Sequence, residues 1–141
     1  MLIQILFGSA ILLASILIHV GFVSAAIGVL RRRGQRSTGV IGLPTVASSL
    51  VLSTIWILGA HTASVWLWSF AFLLLGVFDK LEPAVYFSLV AFTTLGFGDI
   101  TLPEDWRILS GMTAINGLLM FGFSTAFLFE VFAKFRSAMN S

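Results

Sequence analysis

The sequence predicts an all-α membrane protein with several transmembrane helices, and three observations carry that prediction. Apolar residues make up 58% of the chain and charged residues 10%, with a mean hydropathy of +1.04, a balance that does not describe a soluble domain. The few charges are sorted by sign along the chain. Five of the six acids (Asp79, Glu82, Asp99, Glu104, Asp105) fall between residues 79 and 105, whereas Arg31, Arg32, Arg33 and Arg36 form one basic cluster and Lys134 and Arg136 lie near the C-terminus. Short basic segments beside a span stay in the cytoplasm, so both basic clusters read as cytoplasmic and the acidic stretch as extracytoplasmic. The third observation is a short apolar stretch, followed by a polar, glycine-rich run, set between longer apolar segments.

Residues 1–30 carry no formal charge and stop at Arg31, long enough to cross a hydrocarbon core of about 30 Å. A cleaved signal peptide would carry its basic residues before the apolar run. Here they follow it, so the segment is expected to be an uncleaved anchor with its N-terminus outside. Arg31 to Gly42 reads as a basic, glycine-punctuated turn, and Pro44 suits the first turn of the next helix. Residues 43–77 are nearly all apolar, too long for a simple span and long enough for two short ones. The flanking charges require an odd number of crossings, which favours one long helix, tilted or bent near Gly59, over two.

Asp79-Lys80-Leu81-Glu82-Pro83 breaks the apolar pattern, and Pro83 after Glu82 reads as a helix start with an acid near its positive end. Ala84 to Phe92 is then an apolar helix far too short to span, and is expected to be re-entrant. Backbone without helix at membrane depth has to be buried in protein or face water, so the run that follows cannot face lipid. Trp106 is expected to anchor the start of a last helix, running to about Arg136 and carrying Gly111, Gly117 and Gly122.

The run itself is Thr93-Thr94-Leu95-Gly96-Phe97-Gly98-Asp99. Glycine at alternate positions is what a strand needs if all its carbonyls are to point one way. Every second residue then takes left-handed dihedrals, which cost an L-residue about 1–2 kcal/mol and glycine almost nothing. Gly96 and Gly98 are expected to supply those positions.

A short re-entrant helix, Thr-Thr-Leu-Gly-Phe-Gly-Asp and a glycine-containing span resemble, in that order, the pore domain of potassium channels, whose filter is usually written T-V-G-Y-G-D. Leu95 stands for the usual valine and Phe97 for the usual tyrosine. The resemblance covers residues from about 45 to 135, leaving the first span outside it. It implies a tetrameric pore of small bacterial type, in a bacterial inner (plasma) membrane. Residues 1–36 would be an N-terminal transmembrane helix and basic loop. Residues 37–141 would form the pore domain: outer helix about 43–78, pore helix about 83–93, filter 94–99, inner helix about 106–136. Potassium would be held by the carbonyls of Thr94, Leu95, Gly96 and Phe97 and the Thr94 hydroxyl, with Gly98 completing the filter. Thr93, Tyr86, Phe87 and Asp99 would support it, Tyr86 by a hydrogen bond to Asp99. Many members carry a glutamate at the position of Val90, so a carboxylate pair behind the filter is missing here.

One chain supplies one filter strand, so a ring around an ion requires several copies, and four is the number the resemblance implies. Gly117 and Gly122 lie where the inner helix of such channels bends, and are candidate gating hinges; close helix packing is the other use of a membrane glycine. Phe121, Phe127 and Phe135 are candidates for narrowing the inner mouth. Asp79, Glu82, Glu104 and Asp105 would form an acidic collar at the outer mouth, or a solvated loop. His19 and His61, the only histidines, sit in apolar runs and approach each other if the first two spans are antiparallel. They are then either a metal- or proton-sensing pair or neutral hydrogen-bonded side chains. Glu130 and Lys134 are expected to pair at i, i+4.

No cofactor is expected beyond potassium as the transported ion, and nothing points to nucleic acid. The expected partners are the lipid bilayer, three further copies of the chain and an unidentified regulatory partner, since no span carries a periodic arginine sensor and only five residues follow Arg136. An enzyme is not expected. There is no H-E-x-x-H, and no lysine follows the Gly96-Phe97-Gly98 segment as a phosphate loop would need. A weakly selective cation channel and a non-conducting accessory or structural subunit remain as alternatives.

Overall fold

Four helices account for the architecture of the computed structural model, which describes residues 1–36 and 43–139. They are α1 (Leu2–Arg36), α2 (Leu43–Leu74), α3 (Leu81–Phe92) and α4 (Arg107–Met139). Three of them contain stretches long and apolar enough to cross a membrane: Leu2–Val29, Pro44–Leu74 and Arg107–Lys134. At 1.5 Å per residue, the 31 residues Pro44–Leu74 reach about 46 Å, so α2 exceeds the hydrocarbon core and must tilt or emerge from it. It is one uninterrupted helix through Gly59, as the charge argument favours, and not two short spans.

Side-chain contacts fix the directions of the spans. Ser15 donates to Ser64 at 2.8 Å and the Trp56 indole to the Phe22 carbonyl at 2.6 Å, so α1 and α2 run antiparallel. The Gln4 side chain accepts from the Ile108 backbone N–H at 3.2 Å, and His19 meets Ser124, so α1 and α4 run parallel. Gln4 thereby satisfies one of the orphan donors at the start of α4. Gly8 lets the two helices close, since a Cβ there would collide with the side chains of Met112 and Leu109. The first span is therefore packed against both spans of the remainder.

Two boundaries differ from those the sequence suggests. Helix α1 continues through the arginines to Arg36, where a turn is expected; only residues 37–42 of that turn lie outside the described residues. Arginine is a good helix former, and nothing in Arg31–Arg33 breaks the ladder. The outer helix stops at Leu74, not near residue 78. There Gly76 has φ +67°, its N–H bonds to the Leu73 carbonyl at 3.0 Å, and the Val77 N–H bonds to Phe72 at 2.9 Å. This is the two-bond Schellman ending that a left-handed glycine permits.

The core lies where α3 is wedged between α2 and α4. Trp68 and Phe72 of α2, Phe87, Ala91 and Phe92 of α3, and Leu109 and Met120 of α4 are buried together. The rings of Phe72, Phe78 and Phe87 meet edge-on or tilted at centroid distances of 5.4–6.1 Å. Trp68 donates its indole N–H to the Asn116 side chain at 2.9 Å, both residues having no exposed surface. A buried indole needs such an acceptor.

Candidate functional site

Helix α3 brings the glycine-rich run to its place. It begins after Lys80, with Glu82 in its first turn beside the positive end of the helix dipole. Pro83 is the third helical residue, where no intrahelical N–H bond is lost. Its buried side is formed by Ala84, Phe87, Ser88, Ala91 and Phe92. That strip holds α3 against α2 and α4 and leaves the following residues projecting beyond the core.

The end of α3 repeats the motif that ends α2, with one difference. The Thr94 N–H bonds to Ala91 and the Leu95 N–H to Val90, both at 3.0 Å, and the residue in the left-handed position is Thr94, φ +62°. Thr94 is the one non-glycine residue with positive φ among the described residues. Such a conformation costs an L-residue about 1–2 kcal/mol. Gly96 follows at φ +57° and Gly98 at φ +78°, while Leu95 and Phe97 between them keep negative φ. The backbone therefore alternates handedness over 94–98. Glycine at 96 and 98 was legible in advance; the strained threonine that starts the alternation was not.

Tyr86 donates its hydroxyl to Asp99 Oδ2 at 2.6 Å, tying α3 to the end of the run. That bond holds the Asp99 carboxyl below the usual carboxylate range and raises the Tyr86 phenol above its own. Phe87 turns its ring toward Phe72 and Phe78 and does not bond the run, so the polar brace comes from Tyr86 alone. Thr93 caps α3 by bonding back to the Leu89 carbonyl at 2.7 Å. Phe87, Val90, Gly96 and Gly98 border one cavity of about 300 Å³. In the single chain the run is exposed, Leu95 by 60% and Phe97 by 66%.

Gly117 lies directly under this site. A Cβ there would overlap the Phe92 carbonyl oxygen and stand 2.7 Å from its carbon, whereas one at Gly122 would meet nothing within 4 Å. Gly117 thus has a packing reason to be glycine, and Gly122 does not. Phe121 packs against Phe92 and His61, at ring separations of 5.7 and 4.7 Å. Phe127 borders a cavity between α1 and α4, and the Phe135 side chain lies outside the described residues. Lys134 and Glu130 pair at 3.1 Å, while Glu104 reaches Arg107 only at 3.9 Å, both pairs largely exposed and worth little.

The antiparallel spans bring His19 and His61 together, with ring centroids 5.6 Å apart. Both Nε2 atoms converge on Ser124 Oγ, at 3.4 and 3.1 Å. Thr113, Asn116 and Ser124 are buried polar residues of α4 absent from the sequence-derived candidates; a polar side chain inside a span is the signal that marks them.

An integral membrane protein whose short apolar helix ends in a hand-alternating loop is the class these features define. A family model described as an ion channel matches residues 51–134, more than half of the chain. The chain belongs to that ion-channel family. The match takes in α3, the glycine run and most of α2 and α4, and leaves α1 outside. No curated protein matches the chain, and no solved structure matches it.

Proposed function

We propose that the chain is one subunit of a homotetrameric channel that conducts potassium passively through a backbone-carbonyl filter. The ion ligands would be the carbonyls of Thr94, Leu95, Gly96 and Phe97 together with the Thr94 hydroxyl, and Gly98 would complete the filter. The observation that carries the reading is the alternating handedness over 94–98. With every second residue left-handed, successive carbonyls turn to one side, as a dehydrated cation needs. The left-handed Thr94 adds to it, because residues held in such conformations by their surroundings cluster at functional sites. The exposure of the run in a lone chain supports assembly, since irregular backbone at membrane depth has to be covered by protein or line water. The C-terminal end of α3 carries the negative end of a helix dipole, and four such ends would favour a cation beneath the filter.

Purified protein in liposomes, loaded with potassium against sodium, tests this. A potassium-selective flux is expected. A cation flux without preference for potassium would replace the reading by a weakly selective channel, for which the missing hydroxyl of Phe97 is the physical ground. No flux at any imposed voltage would leave a non-conducting subunit.

A further inference from the structure

The first span lies outside the matched ion-channel residues, yet it contributes a buried polar group to the centre of the bundle. Ser124 Oγ donates its one proton to the Met120 carbonyl at 2.8 Å. A hydroxyl has one donor and two acceptor positions, so with its proton on Met120 it can accept from both imidazoles in their Nε2–H tautomers. Three helices are thereby joined at one oxygen: α1 by His19, α2 by His61 and α4 by Ser124. Both Nδ1 atoms are buried without a hydrogen-bond partner among the described residues. Among the described residues, the hydrogen bonds of both imidazoles are accordingly those to this hub at Ser124, while ring contacts with Phe92 and Phe121 pack His61 in place. No carboxylate, lysine or arginine occurs in residues 2–30, 43–74 or 108–129, so no second polar contact of a charged kind competes with it.

Its position along α4 matters. Ser124 is two residues past Gly122, whose surroundings are open, and seven past Gly117, which is clamped beneath Phe92. Just beyond the hub, α1 and α4 are separated by a cavity of about 260 Å³ bordered by Val20, Val23, Phe123 and Phe127. Above Ser124, α4 is wedged; beside and below it, α4 has room. His61 also touches Phe92, at the end of α3, with ring centroids 5.9 Å apart.

We propose that the first span is a regulatory element of the pore: His19, with His61 and Ser124, forms a latch that holds α4 just past Gly122, and releasing it shifts the channel between conducting and non-conducting positions of α4. This rests on the channel reading above. The side chains of the latch do not touch the ion path; they position the helix that lines it. Removing the hub removes two hydrogen bonds in each subunit, so the open-to-closed ratio of the channel is expected to change by at least about five- to thirtyfold.

The test uses full-length protein in planar bilayers. Ser124→Ala is expected to change the open-to-closed ratio by that factor while leaving single-channel current and reversal potential as in wild type; an unchanged ratio overturns the latch. The geometry is tested separately by Ser124→Cys, since the natural chain has no cysteine. Ligands around a tetrahedral zinc-sized ion at about 2.0–2.3 Å stand roughly 3.3–3.8 Å apart, close to the observed 3.1 and 3.4 Å. Cobalt(II), of zinc's size, is therefore expected to give a thiolate absorption band in Ser124→Cys and to slow opening and closing. Adding His19→Ala should abolish both effects. Absence of the band refutes the convergence of the three groups, and a band with unaltered gating refutes the latch. No current from wild type would overturn the channel reading and the latch with it, while the band would still report the geometry.

Discussion

Gly117→Ala tests how α4 carries the filter. The added Cβ would stand 2.7 Å from the Phe92 carbonyl carbon and closer to its oxygen, against the 3.5–4.0 Å at which carbon atoms pack comfortably. The nearer oxygen sets the displacement, so the end of α3 and the middle of α4 would have to part by more than about 1 Å. The neighbour is backbone, so no side chain can swing aside, and the cost lies toward the upper end of the 1–3 kcal/mol usual for overpacking. For a chain of this length that corresponds to a fall in melting temperature on the order of 10 °C per folded unit. Phe92 is two residues before Thr94, so the same displacement reaches the first ligand of the proposed filter. Gly122→Ala provides the control: its Cβ meets nothing within 4 Å, and alanine gains about 1 kcal/mol of helix propensity. The assay is thermal unfolding of detergent-solubilised protein followed by potassium flux in liposomes. Gly117→Ala should lose both stability and flux, whereas Gly122→Ala should keep its stability and change gating if it bends there. Wild-type stability and flux in Gly117→Ala would refute the packing argument.

Two further outcomes follow from the glycine run. Gly96→Ala places a Cβ on a residue at φ +57°, a strain of about 1–2 kcal/mol in each subunit; insertion into membranes should persist while potassium flux is lost, and undiminished selective flux would refute the filter assignment. Tyr86→Phe removes the hydrogen bond that holds the Asp99 carboxyl low. A carboxyl with a depressed pKa contributes stability that is present above its ordinary value and lost as pH falls through the lowered one. Flux measured against falling outer pH should therefore fail at a higher pH in Tyr86→Phe than in wild type, and coincident profiles would remove Asp99 from the outer mouth.

Much of this arrangement was legible in the chain because membrane helices leave strong signals. Sign-sorted charges call for an odd number of crossings between the basic and acidic segments, and the Gln4–Ile108 and Ser15–Ser64 contacts show the relative helix directions that this requires. A polar break, an acid and Pro83 marked the start of α3, and the glycines at 96 and 98 announced their own dihedrals. The pairing of Tyr86 with Asp99 follows from the resemblance to potassium-channel pore domains, a hydroxyl at a wet interface being the other reading, and the 2.6 Å bond is the one the structure has. The features that escaped notice share a physical cause: they are set by neighbours, not by local preference. Thr94 has no intrinsic reason to be left-handed; the ending of α3 and the alternation after it impose that conformation. Gly76 carries the signal of a helix end, but an apolar continuation through Val77 and Phe78 masked it. Ser124 is an ordinary serine in an apolar helix, and only the crossing of three helices makes it the meeting point of two histidines. The basic segment read as a turn because charge was weighed above the helix propensity of arginine.

Helices α2 and α3 end in the same two-bond motif, with glycine in the left-handed position of one and threonine in that of the other. The consequence concerns how this protein can be improved. Replacing Thr94 by glycine would relax the backbone in each subunit and raise stability at no steric expense. The same change would delete the hydroxyl that stands first in the proposed ion path. Selection for heat resistance alone would therefore drive position 94 toward the residue least useful for transport. At that position robustness and permeation pull in opposite directions.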